Sequence, residues 1–122
     1  MHDLLKKYQN IIKEYRILLW ENEPTSSRFK AEIIFKNQSI LYIREYRFPT
    51  NRKYVYHWQD KDNKLIIRWD NAPHWGFVST FPHHKHIGTE TNVVDSTEVL
   101  LEDVLEIIYK ELTGGSKKQN IS

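Results

Sequence analysis

Five of the six histidines in this chain lie between residues 57 and 86, in a stretch that also carries three of its four tryptophans. His57, Arg68, Asp70, His74, His83, His84, Lys85 and His86 form its densest set of groups able to move protons or hold an anion. Neutral imidazole titrates near physiological pH, so two such side chains can act as base and acid. Arginine can clamp a phosphate through its planar fork, and lysine can stabilise developing negative charge. These parts suffice for metal-independent RNA cleavage: a base for the 2′-hydroxyl, an acid for the 5′-leaving oxygen and cations for the phosphorane. The plainer reading of Arg68 and Asp70 is an ordinary ion pair on one strand face.

The pattern Pro82-His83-His84-Lys85-His86 also allows metal chemistry, because imidazole suits zinc, copper, iron and nickel. On a strand, His84 and His86 share a face and His83 points away. Two ligands then need a third, from His57 or His74, with Asp70 the best nearby carboxylate. The reading adopted needs no cofactor, and the metal-dependent nuclease is its rival. A further rival is a binding module whose polar face serves a partner. A third feature mixes cations with aromatics, with Arg44, Arg47, Arg52 and Lys53 around Tyr46, Phe48 and Tyr54. Such a mixture suits single-stranded RNA, with Lys85 as a further cation. A solvated strand edge explains the same residues more plainly.

These residues must be positioned by strands. Tyr54 to Asp60 and Leu65 to Asp70 alternate in the period-two manner of half-buried strands. A two-residue turn at Asp62-Asn63 would pair Lys61 with Lys64, Trp58 with Ile67, His57 with Arg68 and Tyr56 with Trp69. That register gathers the large aromatics on one face and His57, Arg68 and Asp70 on the other.

Apolar spacing predicts an amphipathic helix from His2 to about Lys13, then a strand over Tyr15 to Trp20. Strands follow over Phe29 to Lys36 and Ile40 to Arg47. A two-residue turn at Asn37-Gln38 would set Lys30 opposite Glu45 and Ile33 opposite Tyr42. Ile87 to Val94 reads as a short sixth strand. Asp95 reads as the cap of a helix over Val99 to Leu112, ended by Gly114-Gly115. The expected fold is α+β: an antiparallel meander of five or six strands with both helices on one face.

The 122 residues suit one domain over 1–115, with a disordered polar tail over 116–122. Charged residues at 28% and hydrophobic ones at 39% are ordinary for a globular protein, and there is no apolar run long enough to span a bilayer. The N-terminal stretch is too charged for a signal peptide, and a cytoplasmic location fits. Without cysteine there is no disulfide or thiolate chemistry. A net charge of +2 excludes a broadly basic nucleic-acid binder, so any such role rests on local clustering.

The segments YVYHWQD, LIIRWDNAPHW and FPHHKH, followed by DSTEVLLEDVLEII, resemble the TumE-like family of small toxins from prokaryotic toxin–antitoxin modules. The resemblance runs from about Tyr42 to Ile108. It implies a growth-inhibiting toxin of ribonuclease type, with RNA as substrate and a helix-turn-helix antitoxin as partner; a homodimer stays open. The matching positions are His57, Arg68, Asp70, Asn71, His74, His83, His84 and His86.

Overall fold

The computed structural model describes residues 1–114, so the polar tail over 116–122 and Gly115 lie outside the described residues. The chain runs α1 (His2–Lys7), β1 (Ile12–Asn22), β2 (Ser27–Phe35), β3 (Ile40–Arg47), β4 (Arg52–Gln59), β5 (Leu65–Asp70), β6 (His84–Ile87), β7 (Val93–Asp95) and α2 (Leu101–Thr113). The strands form one antiparallel sheet in sequence order. The α+β class is as expected, with seven strands rather than five or six. The difference lies after Ile87, where a single strand was expected. Gly88, in the left-handed region (φ 76), reverses the chain there, and Ile87 N donates to Asn92 O. A β6–β7 hairpin results, and it makes the histidine run itself a strand.

Both helices pack on one face. Ala31, Ile33, Phe35, Leu41, Ile43, Tyr54, Tyr56, Trp58 and Trp69 project from the sheet into a core completed by Leu5 and Tyr8 from α1 and by Leu101, Val104, Leu105 and Ile108 from α2. The Tyr8 hydroxyl donates to Glu106 at 2.7 Å, joining the region just after α1 to α2. α1 is shorter than its apolar spacing suggests. Asn10 is a poor choice for a helix interior, and β-branched Ile11-Ile12 favours extended backbone. Ile11 still reaches the core, but through a turn closed by Ile11 N to Tyr8 O. α2 begins later than expected. Asp95 does not cap it; its carboxylate accepts from Ser79 N and Oγ at the end of β7. Asp103 accepts from Leu100 N at 2.8 Å instead, which satisfies a first-turn donor. Gly114 (φ 69) ends the helix in the left-handed conformation.

Two turns differ from their expected forms. Between β2 and β3, Phe35 N bonds Ser39 O with Gln38 at φ 74. The longer turn slips the register by one, so Lys30 faces Arg44 and Ile33 faces Leu41, not Glu45 and Tyr42. Between β4 and β5 the loop closes at Asp60 and Lys64, with Asn63 at φ 66, and Lys61 does not pair with Lys64. A bulge then leaves Ile66 without a partner, which offsets the longer loop. The pairs Tyr56–Trp69, His57–Arg68 and Trp58–Ile67 therefore stand as expected.

Candidate functional site on the open sheet face

His57 and Arg68 are directly opposite each other on β4 and β5, pointing away from the helices. One Arg68 Nη1–H donates to His57 Nδ1 at 3.2 Å, and Arg68 Nε donates to Asp70 Oδ2 at the same distance. The second Asp70 oxygen accepts from Ala72 N at 3.0 Å. Arg68 is thus held at both ends of its guanidinium. His57 is half-buried beside a fixed positive charge. Burial and then Arg68 lower its pKa below the ordinary histidine value, so the ring is neutral at pH 7.

The chain bearing the other histidines splits them into separate environments. His84 and His86, two apart on β6, share the open face with Asp70. Both are buried beneath Trp75 from the β5–β6 connection, which meets their rings edge-on at 6.3 and 5.8 Å. His84 Nε2 lies 2.9 Å from Asp70 Oδ1 and His86 Nε2 lies 3.6 Å from Oδ2. His83 points to the helix side, where Nδ1 is 2.9 Å from the Tyr54 hydroxyl and its ring stacks on Tyr54. It does not join the others. His74 is exposed on the connection after β5 and lines the groove described next.

Two adjoining hollows, of about 340 and 700 Å³, share Arg44, Val55 and Arg68 and make one groove along the open face. Lys30, Tyr42 and His57 line one end. Tyr46, Phe48, Lys53, Asp70, Asn71 and His74 line the other. Tyr42 sits over His57, ring centres 6.2 Å apart. Of the five cations read as RNA ligands, Arg44 and Lys53 line this groove. Arg52 is buried on the helix side, donating to the Tyr56 hydroxyl, Val99 O and Glu98. Arg47 borders a different cavity, of about 420 Å³, with Met1, Leu4 and Leu100, and no histidine lines it. Lys85 lies between His84 and His86 and so takes the opposite face of β6. Lys30 and Tyr42 were missed from sequence, because the expected register set Lys30 against Glu45 and hid its place beside Arg44.

An antiparallel sheet backed by two helices, with a cationic, aromatic groove on its open face, describes a small α+β protein. The TumE toxin family model ("Toxin TumE") matches residues 1–112, and the chain belongs to that family. The match includes α1, β1 and β2, which lie outside the segments that carry the resemblance in sequence. No curated protein and no solved structure matches the chain at a significant level. No helix among the described residues is long and apolar enough to cross a membrane.

Proposed function

We propose that this toxin cleaves RNA in the open-face groove, using protein side chains for the proton transfers. The observation that carries the reading is His57 beside Arg68: a histidine kept neutral by burial and by the guanidinium that would hold the scissile phosphate. A single strand lies across Lys30, Arg44 and Lys53, and a base stacks on Tyr42 or Phe48. When the phosphate takes the Arg68 fork, His57 Nδ1 is released to remove the 2′-hydroxyl proton. The 2′-oxygen attacks phosphorus, and the 5′-oxygen leaves with a proton from His74, the remaining groove histidine. His84 and His86 are too buried to deliver a proton to substrate. They lie beside Asp70, which orients Arg68. The toxin acts on cytoplasmic RNA and is silenced by a cognate helix-turn-helix antitoxin covering the groove.

This route leaves a 2′,3′-cyclic phosphate and a 5′-hydroxyl. Purified protein with a defined RNA should give those ends, and a 2′-deoxy sugar at the cut position should abolish cleavage there. Products with 5′-phosphate ends, or equal cutting at the deoxy position, would exclude the route.

A further inference from the structure

The cluster of Asp70, His84 and His86 has no role in proton transfer, yet its side chains are 0–6% exposed. Each imidazole has its Nδ1 against a backbone carbonyl: His84 at 2.9 Å from Pro82 O, His86 at 2.7 Å from Glu90 O. A carbonyl can only accept, so both Nδ1 atoms carry hydrogen. In the neutral rings both Nε2 atoms therefore present lone pairs, and both face the Asp70 carboxylate. Lone pairs on two nitrogens do not bind a carboxylate. Indeed, Asp70 Oδ1 is 2.9 Å from His84 Nε2 but out of line for a ring N–H, and that fully buried nitrogen finds no hydrogen-bond partner among the described residues. Arg68 neutralises the carboxylate from the other side, which leaves the nitrogens unanswered.

From this arrangement we infer that Asp70, His84 and His86 bind one divalent transition-metal ion of the zinc type. The three donor atoms lie within 4.8 Å of one another. Tetrahedral coordination with bonds of about 2.0–2.1 Å needs donors about 3.3 Å apart; His84 Nε2 is 2.9 Å from Oδ1 and His86 Nε2 is 3.6 Å from Oδ2 of Asp70, so side-chain rotation within the 4.8 Å cluster brings one oxygen and both nitrogens to that spacing. The Nδ1–carbonyl bonds are the outer contacts that fix tautomer and ring plane in histidine metal sites. Two imidazoles and a carboxylate suit zinc, cobalt, nickel or iron over magnesium or calcium. Three protein ligands leave a position for water. The third ligand is thus Asp70, not His57 or His74, the two side chains that sequence spacing offered first. The site stands apart from the RNA-cleavage reading. There the nucleophile is the substrate's own 2′-hydroxyl, and the ion's part is to fix Asp70, and through it Arg68 and the connection carrying Trp75.

The test is cobalt(II) titration of the full metal-stripped chain, followed by visible absorption, with zinc as competitor. One equivalent should bind with the intense d–d bands of a four-coordinate ion, be displaced by zinc and raise the melting temperature. His86→Ala and Asp70→Asn should weaken binding by about 100-fold or more, since even outer-contact losses cost about 10–100-fold. His83→Ala and His2→Ala should bind as wild type. Circular dichroism selects the folded variants, and Asp70→Asn keeps the side-chain volume should His86→Ala not fold. Folded wild-type protein that takes up no cobalt overturns the inference, as does cobalt bound equally well by folded Asp70→Asn. Neither result bears on RNA cleavage, which is read from product ends.

Discussion

At the residue scale, His57 and Arg68 share one hydrogen bond with opposite consequences for function and fold. Both sit at a half-exposed sheet surface, where such polar pairs contribute about 0–1 kcal/mol to stability. His57→Ala should therefore stay folded, by thermal melts within a few degrees of wild type, yet lose growth arrest; Arg68→Ala should lose it too, with a larger drop in melting temperature because buried Asp70 is left without its cation. The lowered His57 pKa sets a pH signature. Burial, then Arg68 and more weakly His86 lower it, while Glu90 and the Gln59 side chain raise it. Since the ring loses its proton below the ordinary value of about 6.5, the base form persists through neutrality. On the acid side, cleavage should fall only below about pH 6.5, while a fall on the alkaline side would report the general acid. The same shift has a stability sign. Protonation is harder in the folded state, so the contribution is present above about 6.5 and is lost as pH falls through the lower folded value. An acid limb that starts above pH 7 would point to a different base. This pair was legible in sequence, because strand alternation alone brings residues 57 and 68 face to face. The fate of His83 was only half legible. Alternation turned it away from His84, but its partner Tyr54 comes from two strands over.

At the element scale, the β4–β5 hairpin carries both the core and the site. Trp69, 2% exposed, backs Arg68 and Asp70 through the strand, and Trp69→Ala should cost about 3–5 kcal/mol and render the protein insoluble or unfolded. On the same face, burial raises Tyr54 to about 12 and Tyr56 further still. For a tyrosine whose folded value is raised, stability is intact below the unfolded value of about 10 and is lost as pH climbs past it. Alkaline unfolding should thus set in between pH 10 and 12, and Tyr54→Phe should flatten that dependence; an unchanged alkaline melt in Tyr54→Phe would contradict it. The hairpin register was readable although its turn was not, since burying Tyr56, Trp58 and Trp69 together admits one alignment and the Ile66 bulge absorbs the longer loop. The β2–β3 register was not readable. Asn37-Gln38-Ser39 makes a turn whose length depends on Gln38 adopting a left-handed backbone and on Asn37 Oδ1 bonding Ser39, which composition alone does not signal. The α1–β1 boundary failed similarly, because Tyr8 and Ile11 reach one core through either a helix or a turn.

At the scale of the molecule, a small net charge of +2 is arranged so that Lys30, Arg44, Lys53 and Arg68 line one groove. An antitoxin that silences the toxin by occlusion would offer acidic and aromatic groups to those cations, competing with RNA. A stable complex of this kind buries on the order of 1,200–2,000 Å². Arg44→Glu and Lys53→Glu should weaken RNA and antitoxin together, and both associations should loosen with salt. Arg52→Glu is the contrasting change. It places a third negative charge beside Glu45 and Glu98 among buried tyrosines, so it should lower the melting temperature before it alters binding. An antitoxin bound on the helix side, indifferent to Arg44→Glu and Lys53→Glu, would rule out occlusion.

The most direct measurement is single-turnover cleavage of a defined RNA by wild-type and His57→Ala protein, both shown folded by circular dichroism. Loss of a general base should slow cleavage by about 10²–10⁴-fold while RNA binding persists through the groove cations. Folded His57→Ala protein that cleaves at the wild-type rate, or wild-type protein that binds RNA and never cuts it, would contradict the account.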